Sequence, residues 1–458
     1  MRAAPSAALL STLSLFALGC PTVKSGTSST LCRDDNGDGL CDSAGAVLGG
    51  ISTGVIIGDG GGNGYFPNPE DLGSFLPDLG AIAFLLPGES DAAGGLLVVE
   101  RIPEGASDLD AVQQADGTLA FVGGQSGGGQ FGSSIAVVTS ERGETLLAVG
   151  APGQVAGEFQ TPSGAVYLFT QEQLLAGAID GRQEELTSVG SFGWTLAAVA
   201  GQEGVQLLVG APTDSEFGDN SGRIDLLTLT GDGSYTASTW YGEASSGHFG
   251  ESLLTADIDG DGVSEAIVGA PSTSGIGSVY VFSGPFIQFG SVDDASAQLI
   301  GEAEGDRAGA VLRLSPHEDG GTRLAISAPS GAEGGVVYVV APSARGALEL
   351  SESEARLVAE DPHEQLGRSL AWLDEDMLLV GAPGALGGLG SVYGFSRPSG
   401  GRSSGDADDS RPGTEDWQQL GLSLSTGLDL DADGGRDFGI FGVDTDGRGA
   451  WGVFDASR

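Results

Sequence analysis

The sequence predicts an all-β fold, a β-propeller of about seven repeats, and three observations predict it. Apolar-glycine pairs recur at Phe131-Gly132, Phe192-Gly193, Phe249-Gly250, Ala308-Gly309, Leu366-Gly367 and Leu420-Gly421, with their glycines 61, 57, 59, 58 and 54 residues apart. About twenty residues after each pair, an apolar run ends in a small-small-proline tripeptide. These are Gly150-Ala151-Pro152, Gly210-Ala211-Pro212, Gly269-Ala270-Pro271, Ser327-Ala328-Pro329 and Gly381-Ala382-Pro383, and the last copy has Gly442-Val443-Asp444 instead. A glycine turn and a β-rich run then follow, as in Ala165 to Phe169, Ser278 to Phe282, Val336 to Val340 and Ser391 to Phe395.

Each element has a physical reason. Short Val/Ile/Leu runs bounded by glycine turns read as strands, and a repeat of ~58 residues holds three to four of them. One such unit cannot bury both of its faces, so units must stack around an axis. The apolar-glycine pair would wedge a side chain between adjacent sheets. Small residues after the inner strand let neighbouring backbones approach, and proline ends the strand without needing a ladder partner. A weaker seventh copy starts at Leu79-Gly80 and continues through Leu96 to Val99, Pro103, and Leu119 to Val122. It places the start of a seven-bladed array near residue 66. The last apolar run, Trp451 to Phe454, lacks a following strand, so a segment within residues 44–79 is expected to complete that blade and close the ring.

Composition narrows the partners. Among 458 residues, 63 are acidic and 19 basic, for a net charge of −44. Such a surface repels nucleic-acid phosphates and anionic lipid headgroups, which argues against those partners and favours cations. Glycine supplies 81 residues without a collagen-like period, which points to many tight turns.

The N-terminus reads as an export signal. Arg2 precedes an apolar stretch from Ala7 to Leu18, too short to span a bilayer as a helix. Its ending, Ala17-Leu18-Gly19-Cys20, resembles the lipobox of bacterial lipoproteins, although Leu18 stands two rather than three residues before the cysteine. That resemblance implies lipidation of Cys20; ordinary cleavage with release is the other outcome. Three cysteines are an odd count for an exported chain, and lipidation of Cys20 leaves Cys32 and Cys41 as one disulfide pair. The resulting division is a signal peptide at 1–19, a lipid-anchored tether at 20–65, and the propeller at 66–458. Within the tether, residues 46–64 read as a linker.

Three acidic loops have calcium spacing. Alternate carboxylates or amides supply oxygens to a hard cation, a glycine makes the turn, and a later acid closes the shell. In the tether, Asp34, Asn36, Asp38 and Asp42 fit this pattern, with the Leu40 carbonyl between them. That loop resembles thrombospondin type 3 and EF-hand-like calcium repeats. In the fourth copy the candidates are Asp257, Asp259, Asp261 and Glu265, with the Val263 carbonyl. In the seventh they are Asp429, Asp431, Asp433 and Asp437, with the Gly435 carbonyl. The equivalent stretches Thr139 to Thr145 and Ser315 to Thr322 lack the acid spacing and read as plain turns.

The Phe-Gly starts and Gly-Ala-Pro ends resemble FG-GAP repeats, the units of the integrin α-chain β-propeller. The resemblance covers about residues 66–458. It implies that the loops at 257–265 and 429–437 hold structural Ca2+, with Glu265 standing where the family has Asp. It also implies a non-catalytic, monomeric, cell-surface protein whose propeller binds a protein or polysaccharide in adhesion. The outer membrane or cell surface is the expected location, with periplasmic or secreted alternatives. Related propellers occur in some glycan lyases and a phospholipase, so an enzyme acting on extracellular glycans or lipids is the alternative. A structural envelope component is the third.

Direct signs of catalysis are weak. Gly124-Gln125-Ser126-Gly127-Gly128 matches a hydrolase pattern but sits in a glycine-rich loop with no predicted helix after it. Gly127, Gly129 and Gly132 match a dinucleotide pattern and fail the same context test. The histidines, His248, His317 and His363, read as surface-loop residues.

Overall fold

The computed structural model describes residues 51–56, 72–76, 81–85, 94–99, 118–124, 128–139, 145–155, 163–176, 184–199, 205–229, 235–286, 290–316, 322–331, 333–342, 346–415, 417–428, 437–443 and 449–455. The chain divides into Met1–Gly45 and Ala46–Arg458, and every described residue belongs to the second unit. The stretch read as a signal peptide, Cys20, Cys32, Cys41 and the acidic loop at 34–42 therefore lie outside the described residues.

The second unit is all-β apart from short helical turns, and its described strands form seven sheets. Sheet one contains Leu72–Leu76, Ala81–Leu85, Gly95–Val99 and Thr118–Gly123. Sheet two contains Ser134–Thr139, Thr145–Ala151, Ala165–Thr170 and Glu184–Thr187. The next three begin with Thr195–Val199, Ser252–Ala256 and Leu312–Leu314. Sheet six runs from Ser369–Trp372 to Asp409–Pro412. Sheet seven joins Gln418–Leu428, Asp437–Val443 and Gly449–Asp455 to Ile51–Ile56 from the other end of the chain. The last two pair antiparallel, with Ile56 opposite Ala450 and Val55 opposite Trp451. Residues 51–56, within the stretch that reads as a linker in sequence, are thus a strand of the seventh sheet.

The first strands of sheets two to seven lie against one another in chain order. The first strand of sheet seven also lies against that of sheet one. Middle strands are buried on both faces, as in Ser278–Phe282 and Val336–Val340, because sheets four and five each lie between two neighbours.

Six of the sheets begin as the repeat predicts. Phe131, Phe192, Phe249, Ala308, Leu366 and Leu420 are all buried. The residue before each has left-handed φ, from Gln130 at 56° to Gln419 at 49°, which turns the chain inward. In five of the six, the apolar residue then bridges a glycine at the start of the preceding sheet's third strand: Gly94 to Phe131, Gly164 to Phe192, Gly222 to Phe249, Gly277 to Ala308 and Gly390 to Leu420. At Gly222 a side chain is excluded, since a Cβ would stand 2.2 Å from the Phe249 carbonyl oxygen. Phe249 packs edge-on against Tyr280 and Phe282, with centroids 5.8 and 6.0 Å away.

A second feature locks the seams. Two residues after the repeat glycine, a serine or threonine hydroxyl donates to the next sheet's repeat-glycine carbonyl. The pairs are Ser134 to Gly193 at 2.8 Å, Thr195 to Gly250 at 3.0 Å, Ser252 to Gly309 at 2.7 Å, and Ser369 to Gly421 at 2.7 Å. The hydroxyl fills the space beside the glycine of Gly-Ala-Pro. A Cβ on Gly210 would lie 2.2 Å from Thr195 Oγ1 and 2.3 Å from the Gly250 oxygen. Repeat five exchanges the two positions: Val311 replaces the hydroxyl residue and Ser327 replaces the glycine. There the Ser327 hydroxyl accepts the Val311 N–H at 3.0 Å.

The sequence and the structure differ in two further places. Leu79-Gly80 falls between the first two strands of sheet one, not ahead of the first, so the weak copy is read one strand late. Leu96 to Val99 accordingly lies in the third strand of its sheet. Short fifth strands are also absent from the sequence reading. Gly290–Ser291, Gly346–Glu349 and Gly400–Ser403 each add in parallel to the outer edge of the preceding sheet. These additions cover edges that would otherwise present unpaired backbone groups.

Candidate metal centre

The acidic hairpin of sheet four joins Ser252–Ala256 to Glu265–Ala270, and the ladder closes at the pair Ala256–Glu265. Two glycines with left-handed φ, Gly260 at 78° and Gly262 at 85°, curl the backbone back over its own side chains. Asp257 sits at the centre of the curl. It accepts N–H bonds from Gly260 at 2.7 Å, Asp261 at 3.1 Å and Gly262 at 2.8 Å. Asp261 Oδ1 accepts the Val263 N–H at 2.8 Å, and Glu265 Oε2 accepts the Ile258 N–H at 2.9 Å.

This folding brings carboxylate oxygens of Asp257, Asp259 and Glu265 within 4.8 Å of one another. Both aspartates are exposed, whereas Glu265 is buried at the foot of the loop. Burial pushes the Glu265 carboxyl above its ordinary range. The carboxylates of Asp259, Asp261 and Asp257 push it the same way, and the Ile258 N–H opposes them. The donor set is all oxygen, on a turn of alternating acids, and suits a hard cation of the calcium class. Asp261 stands outside the converging triplet.

The seventh-sheet loop is described only at its ends. Asp437 pairs with Leu428 at the hairpin's closing position, the counterpart of Glu265 opposite Ala256. Asp429, Asp431, Asp433 and Gly435 lie outside the described residues. The stretches 140–144 and 317–321, within loops that read as plain turns, lie outside them too.

The histidines resolve into local roles. His248 occupies the left-handed position before Phe249, and its Nδ1 lies 3.1 Å from Glu251 Oε2. Glu251 also pairs with Arg307, which holds the same repeat position in the next sheet. His363 is exposed and pairs with Asp361 at 3.0 Å. His317 lies outside the described residues. The glycine stretch of the hydrolase-like pattern leads into the Ser134–Thr139 strand rather than a helix, so the context of a nucleophile turn is missing there.

Sequence reading overlooked a buried ionic group in sheet three. Arg223 donates to Asp214 at 2.8 Å and to Asp225 at 3.0 Å, and Thr239 donates to the other Asp225 oxygen at 2.6 Å. The signal was an isolated arginine at the head of an apolar strand.

Fold and site together define an all-β repeat protein whose sheets meet through apolar-glycine turns and which carries an acidic hairpin in its fourth unit. The family model of the FG-GAP repeat matches residues 249–282. The matched stretch spans Phe249-Gly250, the whole acidic hairpin, Gly269-Ala270-Pro271 and the strand Ser278–Phe282.

Proposed function

We propose that the chain is a non-catalytic, calcium-stabilised binding protein of the integrin-α-like FG-GAP type. Its seven sheets are blades of one ring, closed by the Ile51–Ile56 strand, and an N-terminal lipid anchor at Cys20 holds it at the cell surface. The ring reading is supported by the side-by-side first strands and by the pairing of chain ends in sheet seven. Calcium at the hairpin would neutralise clustered carboxylates and fix the turn, acting structurally.

One observation carries the binding role. Loops between second and third strands hold apolar side chains out to solvent: Phe217 is 60% exposed and Leu386 58%. The Phe217 loop is rigidly built. Asp214 Oδ1 accepts the Glu216 N–H and Ser215 Oγ accepts the Asn220 N–H, both at 3.0 Å, while Phe217 rests 4.8 Å from the Tyr241 ring. A large apolar group presented on a braced loop, as Phe217 is, suits recognition of a partner. The enzyme alternative, on extracellular glycans or lipids, needs a base. Tyr241, Tyr280, Tyr338 and Tyr393 are each pushed above the ordinary phenol range by burial, which favours the neutral phenol over the phenolate.

The test is a binding screen of the chain from residue 21 onward against extracellular proteins and polysaccharides. Phe217→Asp and Leu386→Asp are expected to weaken the ligand found by about tenfold or more, near 1.4 kcal/mol, without loss of folding. Unchanged binding in both would remove these loops from the account, and turnover of a glycan or lipid would establish the alternative.

A further inference from the structure

Repeats four, five and six place an acid and a tyrosine at each seam, with a third group that varies. An acid stands six residues before the apolar-glycine pair: Glu243, Glu302 and Glu360. A tyrosine stands on the third strand and faces a cross-strand partner on the fourth: Tyr280 with Gln298, Tyr338 with Arg356, and Tyr393 with Ser410. Repeats five and six add a second acid two residues before the pair, Asp306 and Glu364, which are 5% and 6% exposed. Each accepts the N–H of the residue three before it, Ala303 at 3.1 Å and Asp361 at 3.2 Å.

In repeat five the protein supplies the counter-charge. Arg356 donates to Glu302 at 2.8 Å and to Glu333 at 2.7 Å, and the Tyr338 hydroxyl donates to the same Glu302 oxygen at 2.8 Å. In repeat six Ser410 stands where Arg356 would be. Both acids remain, joined through hydroxyls. Ser404 Oγ donates to Glu364 Oε1 at 3.2 Å and accepts the Glu360 N–H at 3.1 Å, while Ser403 Oγ donates to Glu360 at 2.9 Å. The remaining oxygen, Glu364 Oε2, is fully buried without a hydrogen-bond partner. Burial pushes the Glu364 carboxyl above its ordinary range, and the acids Glu360 and Asp361 push it the same way, Asp361 being paired with His363. A buried carboxylate oxygen in such surroundings demands neutralisation.

We propose that a diffusible hard cation occupies the seam between sheets five and six, anchored on Glu364 Oε2 and reaching Glu360, the counterpart of the Glu302 that the Arg356 guanidinium neutralises in the previous repeat. The ligands are oxygens of Glu364 and Glu360, with seryl hydroxyls beside them, a set that suits calcium. This site is separate from the acidic hairpins and does not depend on their occupancy.

Isothermal titration of the metal-stripped full chain with calcium chloride counts the ions. Ser410→Arg copies repeat five and fills the site from within; Glu364→Gln keeps the shape and removes the charge. Each folded variant is expected to bind one calcium fewer than the parent. Ser410→Arg is also expected to melt above the parent in EDTA. Combination with Asp259→Ala should remove a second ion, which separates this site from the hairpin. An unchanged ion count in either folded variant overturns the proposal and assigns Oε2 to a proton or a buried water.

Discussion

A chain that begins at residue 58 is expected to melt far below one that begins at residue 46. The difference between them is the strand Ile51–Ile56, which covers the edge of Gly449–Asp455 through five paired positions. Ladder hydrogen bonds contribute about 1 kcal/mol each, so the loss is on the order of 5 kcal/mol. At roughly 2 °C per kcal/mol for a large domain, melting falls by about 10 °C. Opening this edge also exposes unpaired backbone groups, so the shorter chain is expected to aggregate on heating. Differential scanning calorimetry checks both points. Equal melting temperatures would show that the terminal strand does not secure the seventh sheet.

The second large effect concerns the seams. Gly210→Ser is expected to destabilise by roughly 3 kcal/mol, because its Cβ would meet Thr195 Oγ1 at 2.2 Å and the Gly250 oxygen at 2.3 Å. Thr195→Val alone should cost about 1–2 kcal/mol by leaving that carbonyl without its donor. Repeat five shows the two changes coexisting, as Val311 with Ser327. The double variant should therefore cost less than the sum of the singles, with a coupling of about 1 kcal/mol or more. Strict additivity in urea unfolding would mean that the two positions do not share one space.

These seams show where sequence suffices. Phe131, Phe192 and Phe249 announce themselves because their Phe-Gly pairs recur at nearly one spacing, each followed by a small-small-proline tripeptide. The hydroxyl column at Ser134, Thr195, Ser252 and Ser369 was equally regular, yet small polar residues fill loops everywhere, so its meaning appears only when the next sheet's carbonyl is in view. Sheet one lacks an apolar-glycine pair clearly ahead of Leu72–Leu76, and Leu79-Gly80 drew the reading one strand too far along. Gly290–Ser291 is too short for any periodicity to mark it.

The acidic hairpin was legible for a different reason. Its carboxylates are neighbours in sequence, so the spacing of Asp257, Asp259 and Glu265 already contains the geometry that brings them within 4.8 Å. The groups around Glu364 come from two sheets. Only the pairing of Tyr393 with Ser410, against Tyr338 with Arg356, reveals that a charge is missing there.

The central claim, a repeat array stabilised by calcium at its acidic hairpins, is tested most directly by melting the metal-stripped chain with and without calcium. At calcium a hundredfold above the dissociation constant, each occupied site is expected to stabilise by about 2.7 kcal/mol. Asp259→Ala should lose the share of the fourth sheet, and Asp259→Ala with Asp431→Ala the larger part of the shift. A calcium-induced rise that is the same in the parent and in the double variant, or no rise in either, would contradict the account.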